Sequence, residues 1–165
     1  MAKTDLQINN VFKKLGGVLA QAKNRQQMKS IAEFSINLIV KRTRLGYGVR
    51  ENLGQRSPLR RLSAPYIKAR RGFGGLAEST TPGKSNLTRT GQLLSSMQII
   101  STRPGLTVIG PRGLRRDGKR NEKIAEYQAD QGRMFNKLSL NEYNQILRYY
   151  RKTFGDLLRK RRLLR

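Results

Sequence analysis

Clusters of lysine and arginine are the side chains in this sequence whose type and spacing most clearly support a chemistry. Cationic side chains that neutralise phosphate groups release counterions, and this favours binding to nucleic acid. Basic runs are also typical of solvated tails and of contacts with acidic proteins, so both kinds of partner stay open. The residues that we predict to face DNA or a partner protein are Arg70, Arg71, Arg112, Arg115, Arg116, Lys119, Arg120, Arg159, Lys160, Arg161 and Arg162.

The side chains on which most enzymes and zinc sites depend are missing. The 165 residues contain no His and no Cys. The commonest general base, the commonest zinc ligand and the thiolate nucleophile are therefore absent from the chain. We expect no catalytic activity, no cofactor, no bound metal and no small-molecule substrate.

Three carboxylates could in principle hold a hard cation. Glu122, Glu126 and Asp130 are spaced at i, i+4 and i+8, which places them on one face of a predicted helix. Oxygen ligands in such a group suit Mg²⁺. Lys119 and Lys123 lie close by, however, and we predict ion pairing at the surface instead of a metal site.

Gly83-Lys84-Ser85 is similar to the end of a phosphate-binding P-loop. The full motif needs a glycine where Glu78 stands, a strand before the loop and a helix after it. The sequence predicts neither element there. We therefore expect a loop without a nucleotide site.

The net charge is a constraint on any assembly of this chain. Thirty-five Lys and Arg residues against ten Asp and Glu residues give a formal charge of +25. Such a charge opposes compaction and repels like subunits, so a polyanion or an acidic surface is expected to offset it. The longest apolar run, residues 36–40, is far shorter than the roughly 20 residues of a membrane helix. We expect no secretory signal, no membrane partner and synthesis inside the cell.

The elements that must position these side chains begin with helices. Apolar residues recur at three and four positions over residues 8–22, with Thr4 or Asp5 as a capping residue, and again over 28–39. Asn24 is a plausible break between the two runs. Residues 46–88, rich in Pro, Gly and Ser, favour an extended arm that includes a short helix from Ser63 and loops at 70–75 and 79–85.

Regular α+β structure is predicted beyond residue 88. Thr88 or Thr90 could cap a short helix over 91–97, and strands over 98–103 and 106–109 form a hairpin. A basic loop over 112–120 precedes a helix over 121–131. Ser139 and Glu142 form a capping box that starts a long final helix. For packing in the core or at an interface we predict Leu93, Leu94, Ile99, Val108, Tyr127, Phe135, Ile146, Leu147, Tyr150 and Phe154.

Several of these segments resemble one protein family, in order and in spacing. Residues 86–97 (NLTRTGQLLSSM) resemble the T-G-x-L-x-x-S-[IM] segment of the tail-completion and head–tail joining proteins of tailed phages, also called virion morphogenesis proteins. Residues 124–132 (IAEYQADQG) are similar to the family's Y-A-x-x-H-x-x-G region, without its His. Residues 133–139 (RMFNKLS) are similar to R-P-F-L-x-L-S, with Met in place of Pro. Residues 58–66 (PLRRLSAPY) resemble the P-L-S-x-x-Y of the arm.

The resemblance implies a structural virion protein of the neck, made in the host cytoplasm. Copies would form a ring that joins or completes the tail at the head–tail connector. The implied partners are copies of itself, neighbouring portal, adaptor and tail proteins, and packaged DNA in the channel. The alternative that the charge supports is a basic nucleic-acid-binding protein that packages DNA or associates with the ribosome.

The expected fold class is α+β, with a small antiparallel sheet containing a hairpin, flanked by a long N-terminal helix and a C-terminal helix, and with an extended loop arm. We expect a single domain over residues 1–165. Its expected parts are an N-terminal helical region (1–45), the arm (46–88), an α+β core (89–158) and a basic tail (159–165).

Overall fold

A computed structural model describes residues 6–7, 25–72, 83–87, 91–103 and 106–160. Within them the chain is α+β, as predicted, with two small antiparallel sheets and a long helix towards each end. The elements in chain order are β1 (Leu6–Gln7), α1 (Arg25–Arg44), β2 (Tyr47–Val49), β3 (Arg56–Pro58), α2 (Ala64–Gly72), α3 (Gln92–Ser95), β4 (Met97–Arg103), β5 (Leu106–Pro111), α4 (Asn121–Asp130) and α5 (Leu140–Lys160).

Helix α1 follows from its apolar spacing. Met28, Ala32, Ser35 and Ile39 are buried at intervals of three and four residues, which makes one continuous face. The described helix begins at Arg25, and the predicted break at Asn24 lies outside the described residues. The helix ends just before Gly46, which adopts a positive φ of 90°. Glycine adopts this left-handed conformation without the steric cost of a Cβ atom.

The start of the chain differs from the prediction. Leu6 and Gln7 form the short strand β1, which pairs with Ile109 and Val108 of β5. A helix capped by Thr4 or Asp5 is therefore wrong, because its first turn would include this strand. The predicted helix over residues 8–22 lies outside the described residues.

The predicted hairpin supplies two strands of the three-stranded sheet, whose order β1-β5-β4 places β5 at the centre and β4 at an edge. Strands β4 and β5 pair antiparallel from Met97–Pro111 to Arg103–Leu106, and the register shifts between Ile99 and Ser101. Helix α1 packs against both strands and against α5. Phe34 and Tyr149 stack between the two long helices, with ring centroids 4.4 Å apart.

Most of the predicted packing residues lie in this core. Leu93, Leu94, Phe135, Ile146 and Tyr150 are buried, and burial raises the pKa of the Tyr150 hydroxyl. Three others are half-buried: Ile99, Val108 and Leu147. The last, Phe154, lies in the final part of α5, where the structure describes no side chains.

Tyr127 does not pack in the core of the single chain, so its predicted packing at an interface stays a prediction. Its side chain is 58% exposed on α4, whereas Ala125 on the same helix is buried. The helix turns its small residue towards the core and its tyrosine towards solvent. Helical spacing alone did not distinguish these two faces.

Residues 46–88 hold more regular structure than the predicted arm. Strands β2 and β3 pair as a two-stranded ribbon, with Val49 opposite Arg56. Val49 and Leu53 donate backbone hydrogen bonds to Met134 and Leu138, at 3.0 and 2.7 Å, and tie the ribbon to the segment before α5. A Cβ atom on Gly48 would collide with the backbone carbonyl of Met134, which cannot move aside without breaking the ribbon's contact, so only glycine allows this close approach.

Two local predictions in this half are refined. Helix α2 begins after Ser63 as predicted, but it continues through Arg70 and Arg71, which were expected in a loop. Helix α3 has Gly91 at its N-cap position, with φ at 67° and no side-chain cap, so a threonine cap is wrong. Thr88 and Thr90 themselves lie outside the described residues.

The capping box at the start of α5 is confirmed, and it carries an unexpected partner. The Ser139 backbone N–H and hydroxyl donate to Glu142 Oε2 at 2.8 and 2.9 Å, and the Glu142 N–H donates to Ser139 Oγ at 3.3 Å. The Arg42 guanidinium, at the end of α1, forms an ion pair with the same carboxylate oxygen and also donates to the Phe135 carbonyl. Both charged side chains are 0% exposed.

Burial lowers the pKa of Arg42, while the adjacent Glu142 carboxylate opposes that effect. Transferring a charge from solvent into the protein interior is costly unless an opposite charge and hydrogen bonds compensate for it. Arg42 has both compensations, from residues 93 and 100 positions further along the chain.

We expect Glu142→Gln to lower the free energy of unfolding by about 3–5 kcal/mol, because it leaves a buried guanidinium without its counter-charge. Urea denaturation followed by circular dichroism measures this change. Glu33→Gln is the matched control, since Glu33 is exposed on α1 and the same substitution there should change stability by less than about 0.5 kcal/mol. Equal losses in the two variants would contradict a structural role for the pair.

Candidate nucleic-acid interface

The predicted basic loop is a well-ordered turn. Leu114 and Arg120 form an isolated antiparallel bridge, and Gly118 donates to the Arg115 carbonyl at 3.0 Å with a positive φ of 74°. The Asn121 side chain donates to the carbonyls of Arg112 and Gly113 at 3.2 and 3.1 Å. These bonds join the loop to the start of α4.

Acidic residues neutralise part of this loop. Arg112 pairs with Glu122 at 3.4 Å, and Arg115 pairs with Asp117 at 3.2 Å. Burial acts to raise the pKa of Asp117, but hydrogen bonds from the Lys119 N–H and from Arg115 outweigh it and lower that pKa. A backbone hydrogen bond from its own N–H lowers the pKa of Glu122; burial opposes this and the Arg112 guanidinium adds to it.

The remaining cations of the loop point to solvent. Arg116, Lys119 and Arg120 are exposed, and none of them forms an ion pair with an acid in the described part of the chain. Three of the five predicted residues are therefore free to contact a partner, and two are already engaged.

Arg70 is a correction to the predicted surface. It is only 8% exposed, and its guanidinium donates to the Lys84 carbonyl at 2.9 Å and to Asn86 Oδ1 at 3.3 Å. It ties α2 to residues 83–87 instead of facing a partner. The glycine, lysine and serine that were similar to a P-loop lie in this irregular segment. Arg71, the next residue, is exposed.

The basic tail is only partly within the described residues. Arg159 and Lys160 are the last two residues of α5, and Arg161 and Arg162 lie outside the described ranges.

A second group of cations was not predicted and lies around the β2–β3 ribbon. Lys137 Nζ donates to the Arg50 carbonyl at 3.0 Å, and Arg133 Nε donates to the Arg60 carbonyl at 3.5 Å. Arg56 opens β3, opposite Val49 and next to Arg50 along the ribbon. We call Arg50, Arg56, Arg60, Arg133 and Lys137 the ribbon surface.

The ribbon surface carries unbalanced charge. Residues 41–61 include seven Lys or Arg residues and one acid, Glu51. Arg50, Arg56 and Arg60 are exposed, and Arg133 and Lys137 are half-buried. Among the described residues, none of these five side chains forms an ion pair with a carboxylate.

Sequence reasoning missed this surface because its cations are not contiguous. They are separated by four to six residues in the ribbon, and two come from a segment more than 70 residues away. A usable signal was the excess of basic over acidic residues across 41–61, which a search for basic runs does not detect.

Metal and membrane sites receive no support from the described residues. No group of three or more Asp and Glu side chains there is placed to hold a metal ion, and Glu122 instead pairs with Arg112. No described helix combines the length and apolar character required to cross a bilayer.

We expect Glu122 to make stability depend on acid pH. Its folded-state pKa lies below the unfolded value of about 4.3, because its backbone hydrogen bond and then Arg112 favour the ionised carboxylate. These interactions therefore stabilise the fold above about pH 4.3 and lose this effect as the pH falls through the folded-state pKa. Calorimetry between about pH 5 and pH 3 should show a smaller fall in Tm for Glu122→Gln than for the wild type. Parallel curves of Tm against pH for the two proteins would contradict this expectation.

Protein-family models, curated proteins and solved structures were each compared with the chain, and none of them matches it.

Proposed function

We propose that the chain is a structural subunit of the neck of a tailed phage, forming a ring that joins or completes the tail at the head–tail connector. The fold class that the family resemblance implies, α+β with a small sheet and a long helix towards each end, is the one observed. The described residues of the resembling segments 86–97, 124–132 and 133–139 fall on α3, on α4 and on the segment that leads into the capping box of α5. The order and spacing of these segments on a fold of the expected class is the observation that carries the proposal.

One surface has the composition of a subunit contact. Leu114, 72% exposed in the basic loop, and Tyr127, 58% exposed on α4, are large apolar side chains on neighbouring elements. Aromatic residues and arginines are enriched at protein interfaces. We call residues 112–130 the α4 surface.

Charge also favours this surface for contact between copies. Four of the ten acids in the chain, Asp117, Glu122, Glu126 and Asp130, fall between residues 117 and 130. These acids reduce the repulsion between strongly basic subunits here, and the acids of one copy can accept cations from a different surface of the next. Head-to-tail contacts of this kind form a ring when the rotation from copy to copy closes.

The test of function is electron microscopy of virus particles produced with and without the gene. Filled heads separated from finished tails, or heads that leak DNA, would support a joining or completion role. Normal and infectious particles without the protein would contradict it.

We expect the double variant Leu114→Ser/Tyr127→Ser to weaken self-association while leaving the fold intact, because both side chains are exposed in the single chain. Sedimentation velocity and negative-stain microscopy measure assembly, and thermal unfolding measures stability. Leu45→Ser/Tyr47→Ser is the matched control, since it removes an exposed leucine and an exposed tyrosine beside the ribbon. An equal effect of the two double variants would contradict the placement of the contact.

A basic nucleic-acid-binding protein is the second candidate. The exposed cations of the ribbon surface, which lack acidic partners among the described residues, favour it. If six to ten phosphates are contacted, affinity for duplex DNA or RNA should fall by roughly 10³–10⁵ between about 50 and 200 mM salt. Weak binding without such a slope would contradict this candidate.

A further inference from the structure

We infer that the ribbon surface is the part of this chain that contacts the phosphate backbone of duplex DNA, and that the α4 surface contacts protein. The inference rests on the proposed function, in which packaged DNA is the polyanion that the assembled chain meets. It assigns the two basic regions to two different kinds of partner.

The first argument is that the ribbon surface is held in place. Its cations come from the ribbon and from residues 133–137, and backbone hydrogen bonds join these segments. Lys137 donates to the Arg50 carbonyl, just after β2. Arg133 donates to the Arg60 carbonyl, beyond β3, and to Gln128 Oε1 on α4, so both side chains are held next to the ribbon. Charges that are already positioned lose less conformational freedom when they bind a rigid duplex.

The second argument is electrostatic. Arg56 lies close enough to the buried Arg42 to act against its positive charge, although burial has the larger effect on Arg42. Glu142 is the acid next to Arg42, and it is fully buried and already paired with it. Glu142 therefore does not neutralise the exposed arginines of the ribbon surface, and the positive potential of these arginines extends into solvent.

The third argument is exposure. Strand β3 is the outer strand of the ribbon, because β2 is buried at Gly48 and Val49 and donates to the Met134 carbonyl on its other side. Arg56 on β3 is therefore exposed, and Tyr47 is exposed at the start of β2. An aromatic ring among cations adds contact area without requiring a particular base.

The α4 surface has a different character. Two of its arginines are paired with local acids, and Leu114 and Tyr127 are exposed among them. Phosphate would have to compete with those carboxylates. Mixed charges and apolar side chains suit another protein better than a polyanion.

The test compares two variants with the same loss of charge. Arg50→Gln/Arg56→Gln/Arg60→Gln alters the ribbon surface, and Arg116→Gln/Lys119→Gln/Arg120→Gln alters the α4 surface. Neither triple variant removes a described ion pair, and the bonds to ribbon carbonyls use backbone atoms that the substitutions keep. Fluorescence anisotropy with a short duplex of mixed sequence, over a salt series, gives the slope of log affinity against log salt for each.

We expect the ribbon variant to reduce the magnitude of that slope by about 2.7, because each phosphate contact contributes about 0.9. Its affinity loss between about 50 and 200 mM salt should then be about 40-fold smaller than that of the wild type. The α4 variant should change the slope by less than about 1. Equal changes in both variants, or a larger change in the α4 variant, would overturn the inference.

A charge-preserving variant and a second polyanion make the result specific. Arg50→Lys/Arg56→Lys/Arg60→Lys should retain the slope of the wild type, and a loss there would overturn a charge-based contact. Poly-glutamate replaces the duplex in a parallel titration. If the ribbon variant weakens binding to poly-glutamate while the duplex slope is unchanged, the partner is an acidic protein and the inference is overturned.

A measurement on the wild type avoids any failure of a variant to fold. Hydroxyl-radical footprinting compares two exposed tyrosines, Tyr47 beside the ribbon and Tyr127 on α4. Duplex DNA should protect Tyr47 and leave Tyr127 reactive, and the reverse pattern would overturn the inference. Normal particles without the gene would remove the neck function and leave the footprint unaffected, so the two failures are distinguishable.

Discussion

The buried ion pair between Arg42 and Glu142 is the interaction on which the rest of the structure depends. It joins the end of α1 to the start of α5 through a carboxylate that also caps the second helix. The same guanidinium holds the Phe135 carbonyl, which fixes the segment between α4 and α5. That segment in turn receives the backbone hydrogen bonds of the ribbon. Four parts of the molecule thus meet around one buried pair of charges.

This arrangement also explains how a chain of charge +25 remains folded. Arg42, the charge that is hardest to accommodate, is neutralised inside the protein, and Arg70 is satisfied by a carbonyl and an amide oxygen. Many of the other cations lie at the surface, where water screens their repulsion. The acids are not spread evenly over that surface. They gather near α4 and are sparse near the ribbon, so the two sides of the chain offer different chemistry to a partner.

Much of the fold could be predicted from the sequence because local signals agreed with long-range packing. The apolar spacing of α1, the hairpin of β4 and β5, and the capping box of Ser139 and Glu142 each depend on residues close together in the chain. The ribbon was missed because its strands are three residues long and its stability comes from backbone bonds to residues 134–140. The burial of Arg42 was missed although it continues the buried spacing of Ser35 and Ile39. An arginine is expected at the surface unless an acidic partner is known, and the sequence does not show that Glu142 is that partner. Arg70 was misassigned because residue type predicts exposure only on average.

The pairing of positions 42 and 142 has a consequence for how this sequence can change over time. Neither charge can be lost alone without leaving the other buried and uncompensated, so single substitutions at either position are selected against. A lineage can replace the pair only by two changes made together, for example to two apolar residues of similar volume. Positions 100 residues apart are therefore expected to vary together. In an alignment of related chains, a change at one of the two positions should be accompanied by a change at the other.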